Sequence, residues 1–221
     1  MSATGDRTSA KEILSLLEPA KALIFDFDGT LVDSNHIKRI AFEKCLSDYP
    51  DFFDPIMEYC RGNNHVPRQV KFRHVFENIL RLPYTAAIEK AMLDRYAAET
   101  TEQVISAQEI PGAIQFLQKF FFQKELVLLS STPHDFLNLI LERRGMKKYF
   151  KKIQGAPVSK ADWLKEFICR SGFKNEEVLF FGDSVEDVLS AQKADISFVH
   201  VGKTNIEGVN YCIEDFSNFG Y

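Results

Sequence analysis

Short runs of consecutive apolar residues recur along the chain, each closing on Asp, Ser or Gly: Ala22-Leu23-Ile24-Phe25, Leu126-Val127-Leu128-Leu129, Val178-Leu179-Phe180-Phe181 and Ile196 to Val201. A strand with one wet face alternates polar and apolar positions, so runs without alternation predict strands covered on both faces, as in a parallel sheet between helical layers. A weaker run around Tyr149 to Ile153 predicts a fifth strand. Between the runs, apolar residues fall at helical spacing: Ile114, Leu117 and Phe121 after Pro111-Gly112, then Phe136, Leu137, Ile140 and Leu141, then Trp163, Leu164, Phe167 and Ile168. The alternation predicts βαβ units and an α/β fold, a doubly wound, Rossmann-like parallel sheet.

One segment breaks this rhythm. From residue 34 to 106 no strand-like run occurs, while Ile37, Ile40 and Ala41, then Phe72, Val75, Phe76, Ile79 and Leu80, then Ile88, Ala91 and Met92 keep helical spacing. The economical organisation is a core domain of residues 1–33 and 107–221, interrupted by an all-helical domain of residues 34–106.

The length of 221 residues suits one core with a modest insert. Lys and Arg total 27 against 31 Asp and Glu, a formal charge of -4. A general polyanion binder needs a basic excess, so no nucleic-acid partner is expected and phosphate recognition has to be local. No apolar run approaches the ~20 residues that span a bilayer, and Met1 to Ala20 mixes Asp6, Arg7, Lys11, Glu12 and Glu18 with few apolar residues. Neither a signal peptide nor a membrane partner is expected. Cys45, Cys60, Cys169 and Cys212 lie far apart without a C-x-x-C pair, which argues for reduced thiols in a cytoplasmic protein rather than zinc ligands or a disulfide framework.

The first apolar run is followed by Asp26-Phe27-Asp28-Gly29-Thr30. Residues two apart on an extended chain point the same way, so Asp26 and Asp28 both face the space beyond the strand's carboxyl end, where open α/β sheets bind ligands. Two like charges there repel unless a cation or a shared proton compensates, which marks a site. Gly29 lets the chain turn sharply and bring its backbone close to a ligand. The run at 178–181 leads into Gly182-Asp183-Ser184-Val185-Glu186-Asp187, which brings further carboxylates to a strand end. Several converging acidic groups call for a hard divalent cation with oxygen ligands, Mg²⁺ foremost. Ser184 with Asp187 three residues later also has the form of a capping box, so helix cap and metal neighbour both stand for Asp187.

Ser130 closes the second run and is followed by Ser131-Thr132-Pro133-His134-Asp135. Thr132 as N-cap, Pro133 at the first helical position and Asp135 at the third satisfy the rules for a helix start. The functional alternative is an anion held by exposed amides, with the Ser130 hydroxyl as an extra donor. Ser159-Lys160-Ala161-Asp162 reads as another helix start that places a cation in the first turn, against the helix dipole, which an anionic ligand or carboxylate facing Lys160 would offset. His65 and His74 read as surface or packing residues, and Phe120-Phe121-Phe122 as core.

In this order, Asp26-Phe-Asp28-Gly-Thr30, Ser130 at a strand end, Lys160 before a helix and Gly182-Asp183-Ser-Val-Glu-Asp187 resemble the four motifs of the haloacid dehalogenase superfamily, over residues 20 to 205. The insert, opening at Leu31-Val32-Asp33-Ser34 and returning at Glu109-Ile110-Pro111-Gly112, is similar to the helical cap of the phosphoglycolate phosphatase and β-phosphoglucomutase branch. The resemblance implies that Asp26 is a nucleophile forming an aspartyl phosphate, and that Asp28 protonates the leaving oxygen and then activates water. It implies Mg²⁺ held by the Asp26 carboxylate, the Asp28 main-chain carbonyl and Asp183, with Asp187 in or just behind that set. Ser130 and Lys160 would bind the phosphoryl oxygens, in a cradle completed by Gly29, Thr30 and Ser131.

The acid at Asp28 argues for phosphate chemistry, because halide departure needs no proton. Gly155-Ala156-Pro157-Val158-Ser159-Lys160 departs from the usual third motif, and Lys160 lies nearer the strand end than Lys165. Lys38 stands near the place where mutase relatives carry His, which favours hydrolysis of a small phosphorylated metabolite over the alternative, a sugar phosphomutase. A silent binding module is the other alternative, opposed by the complete set of Asp26, Asp28, Lys160, Asp183 and Asp187. Substrate choice is expected from the loop Arg61-Gly62-Asn63-Asn64-His65-Val66-Pro67-Arg68, through Arg61, Asn63 or Arg68. A monomer suffices for all of this.

Overall fold

The structure, a computed structural model, describes residues 8–63, 66–204 and 206–219. The chain divides into two compact units, one formed by Met1–Asp33 with Gln108–Tyr221 and the other by Ser34–Ala107. The first unit carries a six-stranded sheet of β1 (Ala22–Phe25), β2 (Glu125–Pro133), β3 (Lys152–Ala156), β4 (Val178–Gly182), β5 (Ser197–Val201) and β6 (Cys212–Ile213). All neighbours are parallel, in the order β3-β2-β1-β4-β5-β6, the doubly wound arrangement that the uninterrupted apolar runs predict. The fold expectation is met, with two adjustments. Tyr149 ends a short 3-10 turn, so β3 starts only at Lys152, and β6 is too short to leave an apolar run.

Helices in chain order are α1 (Ala10–Leu17), then α2 (Asn35–Cys45), α3 (Phe53–Gly62), α4 (Arg68–His74) and α5 (Ala86–Ser106) through the second unit, then α6 (Ala113–Phe120), α7 (His134–Arg143), α8 (Lys160–Ser171) and α9 (Val185–Ala194). None of the described helices is long and apolar enough to cross a membrane.

Burial on both faces explains the strand sequences. On one face Ala22, Ile24, Val127, Leu129, Val178 and Phe180 pack with Leu164 and Phe167 of α8 and with Ala191 and Ala194 of α9. The alternate residues turn to an aromatic layer: the Phe25 ring stacks on Phe181 at 5.1 Å and meets Phe116 edge-on at 6.1 Å, with Phe216 beside them. Such pairs add about 0.5–1.5 kcal/mol each beyond the area they bury. The Phe run at 120–122 is not all core: Phe120 is buried, whereas Phe122 is 86% exposed because it lies beyond the end of α6. Where the chain leaves and re-enters this unit, Val32 and Glu109 form an antiparallel bridge, supported by hydrogen bonds from Asp33 N–H to the Gln108 carbonyl and from Ile110 N–H to the Leu31 carbonyl.

The helical unit has its own core of Phe42, Cys45, Leu46, Ile56, Met57, Cys60, Phe72, Val75, Phe76 and Tyr96. After α4 the helical apolar pattern continues as a π-turn over Val75–Ile79. His74 lies flat on Tyr59, with ring centroids 3.9 Å apart. A lysine is buried in this core. Lys71 is 4% exposed, its Nζ reaches the Cys60 carbonyl at 3.5 Å, and it sits 5.0 Å from the centre of the Phe42 ring. Burial lowers its pKa to about 8 from the ordinary 10.5, with the Cys60 thiol opposing and Lys38 adding to the fall.

The unfolded chain therefore binds more protons at this side chain between pH 8 and 10.5. Stability contributed here rises with pH through that window and is lowest below it. Lys71→Met is expected to stabilise the protein at pH 7 by about 1–3 kcal/mol, an advantage that shrinks towards pH 10.5, as read by urea unfolding of both proteins at each pH. A destabilised variant at pH 7 would show that the ammonium is held by more than these contacts.

Candidate active site

The β1 ladder continues one step beyond Phe25, since the Asp26 N–H donates to the Phe181 carbonyl at 2.9 Å. Phe25 is in register with Leu128 on one side and with Phe181 on the other. The residues beyond this register therefore come together at one edge: Asp26 and Asp28 after β1, Ser130 to Thr132 in the last part of β2, and Gly182 and Asp183 at the end of β4. Strand order reverses between β1 and β4, and that switch point is where open sheets leave a crevice for a ligand. After Asp26 the chain turns tightly. The N–H groups of Leu31 and Val32 both return to the Phe27 carbonyl, and Gly29, at φ 83°, donates to the Val32 carbonyl at 2.8 Å. Asp26 and Asp28 are both buried despite their charge, at 5% and 7% exposure.

One cation binds this edge together. Lys160, the first residue of α8 after its N-cap Ser159, is buried and places its Nζ 2.8 Å from Asp26 Oδ1 and 2.6 Å from Asp187 Oδ1. The other Asp187 oxygen accepts hydrogen bonds from the Ser184 N–H at 3.2 Å and the Ser184 hydroxyl at 2.6 Å. The cap reading of Asp187 is observed, with one oxygen capping α9, while the other oxygen faces Lys160 among the clustered carboxylates. Gly182 makes room for it, because a Cβ there would stand 2.6 Å from the Asp187 Cβ and 2.7 Å from Oδ2.

Asp26, Asp183 and Asp187 each offer a carboxylate oxygen, all within 4.8 Å of one another. Burial pushes the Asp26 carboxyl well above its usual pKa, Lys160 pulls it down, and Asp187, Asp183 and Asp28 push it up again. Burial alone would lower the Lys160 pKa, but Asp187 and Asp26, by charge and by hydrogen bond, hold it above the ordinary lysine value. Lys160 is thus a firm cation, and one ammonium among the three clustered carboxylates leaves negative charge in excess. Clustered hard oxygen donors with that excess fit a divalent ion of the Mg²⁺ type. Both Asp187 oxygens are engaged, one by Lys160 and the other by Ser184. The Asp28 carboxylate is outside the cluster.

Of the residues expected to cradle phosphate, Ser130 is buried and its Oγ accepts the Thr132 N–H at 3.1 Å. The Thr30 hydroxyl is fully buried without a hydrogen-bond partner, an orphan in keeping with a ligand contact. The Ser131 hydroxyl turns to Glu186 Oε2 at 3.3 Å. Lys165 is exposed, in contrast to Lys160.

The helix start expected at Thr132 is corrected. β2 runs through Pro133, which pairs with Ala156 of β3, and α7 begins at His134. Thr132 is held in the sheet, and its hydroxyl donates to Asp28 Oδ2 at 2.9 Å. Period-two spacing from Ser130 was the signal in the sequence that pointed there, and helix-start chemistry masked it. The specificity candidates lie in the helical unit. Arg61 is exposed in the last turn of α3, the Asn63 side-chain amide donates to the Tyr59 carbonyl at 2.9 Å, and the Arg68 guanidinium lies 5.1 Å from the Tyr96 ring centre. Asn64 and His65 of the same loop fall outside the described residues.

Comparison with known proteins agrees with the fold. Residues 23–201 match the family model of haloacid dehalogenase-like hydrolases. Phosphoglycolate phosphatase of Synechococcus elongatus is 31% identical over 186 residues, covering 82% of this chain and 83% of that protein. Phosphoglycolate phosphatase of Vibrio parahaemolyticus is 26% identical over 188 residues, covering 79% and 80%. Among solved structures, CbbY from Rhodobacter sphaeroides in complex with phosphate shares the fold, with a TM-score of 0.72 and 14% identity over 91% of this chain and 96% of that one. The chain belongs to the haloacid dehalogenase-like hydrolase family, as one of its phosphatases.

Proposed function

We propose that this enzyme hydrolyses a small-molecule phosphate monoester by passing the phosphoryl group through Asp26. The observation that carries the reading is a buried carboxylate, Asp26, ion-paired to Lys160 within a three-carboxylate cluster and two residues from a second buried carboxylate outside it. Asp26 attacks phosphorus and Asp28 gives its proton to the departing ester oxygen. Asp28 then takes a proton from the water that attacks the aspartyl phosphate, which frees Asp26 and inorganic phosphate.

Lys160 and the hydroxyls of Ser130 and Thr30, with the backbone at Gly29 and Ser131, receive the phosphoryl oxygens. Phosphoryl transfer depends mainly on such positioning and charge neutralisation. Mg²⁺ held by Asp26 and Asp183, with the Asp28 main-chain carbonyl and with Asp187 behind, would supply the remaining positive charge. The relatives named phosphoglycolate phosphatase make 2-phosphoglycolate the first ester to test. The helical unit is assigned the cap role, with Arg61, Asn63 and Arg68 as the side chains to vary for specificity, and the cytoplasm is the assigned compartment.

Asp26→Asn keeps shape and removes the nucleophile, so phosphate release should fall by more than about a thousandfold with the circular dichroism spectrum unchanged. Substantial turnover in that variant would end the nucleophile assignment. Chelation should abolish phosphate release from the wild type and added Mg²⁺ should restore it; an enzyme indifferent to both would remove the metal from the scheme.

Lys160→Met leaves buried carboxylates without their counter-ion and is expected to cost about 3–5 kcal/mol at neutral pH. That loss should shrink as acid protonates the carboxylates, and also with millimolar Mg²⁺, as followed by thermal unfolding. A variant as stable as the wild type at pH 7 would contradict the charge-neutralising role.

A further inference from the structure

Thr132 is placed where local sequence rules did not put it. It is 5% exposed, its hydroxyl hydrogen-bonds Asp28 Oδ2 at 2.9 Å, and its N–H binds the Ser130 hydroxyl oxygen at 3.1 Å. Its main chain has little room to shift. β2 pairs with β3 on both sides of Thr132, Leu129 with Gln154 and Pro133 with Ala156, across a register shift, and Gly155 approaches so closely that a Cβ would stand 2.5 Å from the Thr132 carbonyl oxygen. A β-branched side chain adds stiffness at χ1. The hydroxyl is thus a buried donor in a closely packed strand end, aimed at one particular oxygen of Asp28.

We propose that Thr132 is a positioning residue for the acid–base step, selecting which Asp28 oxygen handles the proton. The proposal rests on the phosphatase reading above. With the Thr132 O–H donating to Oδ2, that oxygen stays the acceptor of the carboxyl group and the transferable proton resides on Oδ1. As the Asp26 oxygen bonds to phosphorus and the ester P–O bond breaks, the electron pair of that bond goes to the leaving oxygen, which takes the Oδ1 proton and departs as the alcohol. In the second step Oδ1 recovers a proton from the attacking water, and inorganic phosphate leaves. Without Thr132 the carboxyl group keeps its chemistry and loses its orientation.

The test is the dependence of kcat/KM on the leaving group, because kcat/KM reports the steps through departure of the alcohol. An alkyl phosphate such as 2-phosphoglycolate or glycerol phosphate needs the proton; p-nitrophenyl phosphate hardly does. General acid catalysis contributes about 10²–10⁴-fold, so Thr132→Val, which keeps the N–H to Ser130, should lower kcat/KM for the alkyl ester by about 10–100-fold. The loss for p-nitrophenyl phosphate should be under about threefold, and Thr132→Ser should recover most of the alkyl-ester activity.

Equal losses on both esters, or an unchanged alkyl-ester rate, would overturn the proposal. If Thr132→Val does not fold, Thr132→Ser and Thr132→Ala carry the same comparison. Asp28→Asn in the same panel separates the two levels of argument. A selective alkyl-ester loss in that variant but not in Thr132→Val removes only the positioning role, whereas no selective loss in Asp28→Asn removes the acid assignment and this proposal with it.

Discussion

Carboxylates gathered at the end of a buried sheet repel one another and are costly to desolvate, and the site exists because one ammonium is buried among them. Lys160 bridges Asp26 from β1 and Asp187 from α9, at 2.8 and 2.6 Å, with all three side chains nearly inaccessible. In such surroundings a pair is strongly coupled, and removing one member leaves an uncompensated charge that costs several kcal/mol. Lys160 also resolves an oddity of its own position. A cation in the first turn of a helix opposes the helix dipole by some tenths of a kcal/mol, which is small beside the attraction of two facing carboxylates.

The same economy appears in the supporting residues, several of which meet a local demand and a distant one together. Asp187 caps α9 through one oxygen and neutralises Lys160 through the other, so the start of that helix and the charge balance of the site are one structure. Ser159 caps α8 and thereby fixes where Lys160 begins its reach. Gly182 ends β4 with no side chain, because the Asp187 carboxylate occupies the space that a Cβ would need. These dual roles give the site rigidity without a separate scaffold, and rigidity is what phosphoryl transfer asks of a protein.

The helical unit holds a different kind of buried charge. Lys71 lies against Phe42 and Cys60 with a lowered pKa, whereas Lys160 is raised. The contrast is one of partners. Burial disfavours the ammonium in both places, and only at Lys160 do carboxylates more than compensate.

Much of this was legible in the chain itself. Apolar runs without alternation determine strands buried on two faces, and the interruption between residues 34 and 106 determines a helical insert, because both are consequences of local burial periodicity. Asp26, Asp28, Asp183, Asp187 and Lys160 could be singled out because charge at a strand end or against a helix dipole is costly unless something answers it. Thr132 shows where that reasoning stops. Its neighbours spell a helix start, but pairing of β2 with β3 extends the strand through Pro133 and turns the hydroxyl to Asp28, a partner 104 residues away. Phe122 and β6 are similar cases, decided by where an element ends in space. Sequence determines which residues must be buried or compensated; only the tertiary structure decides which partner does the compensating, because hydrogen bonds and ion pairs of a few ångströms depend on strand register, and register is a property of the assembled sheet.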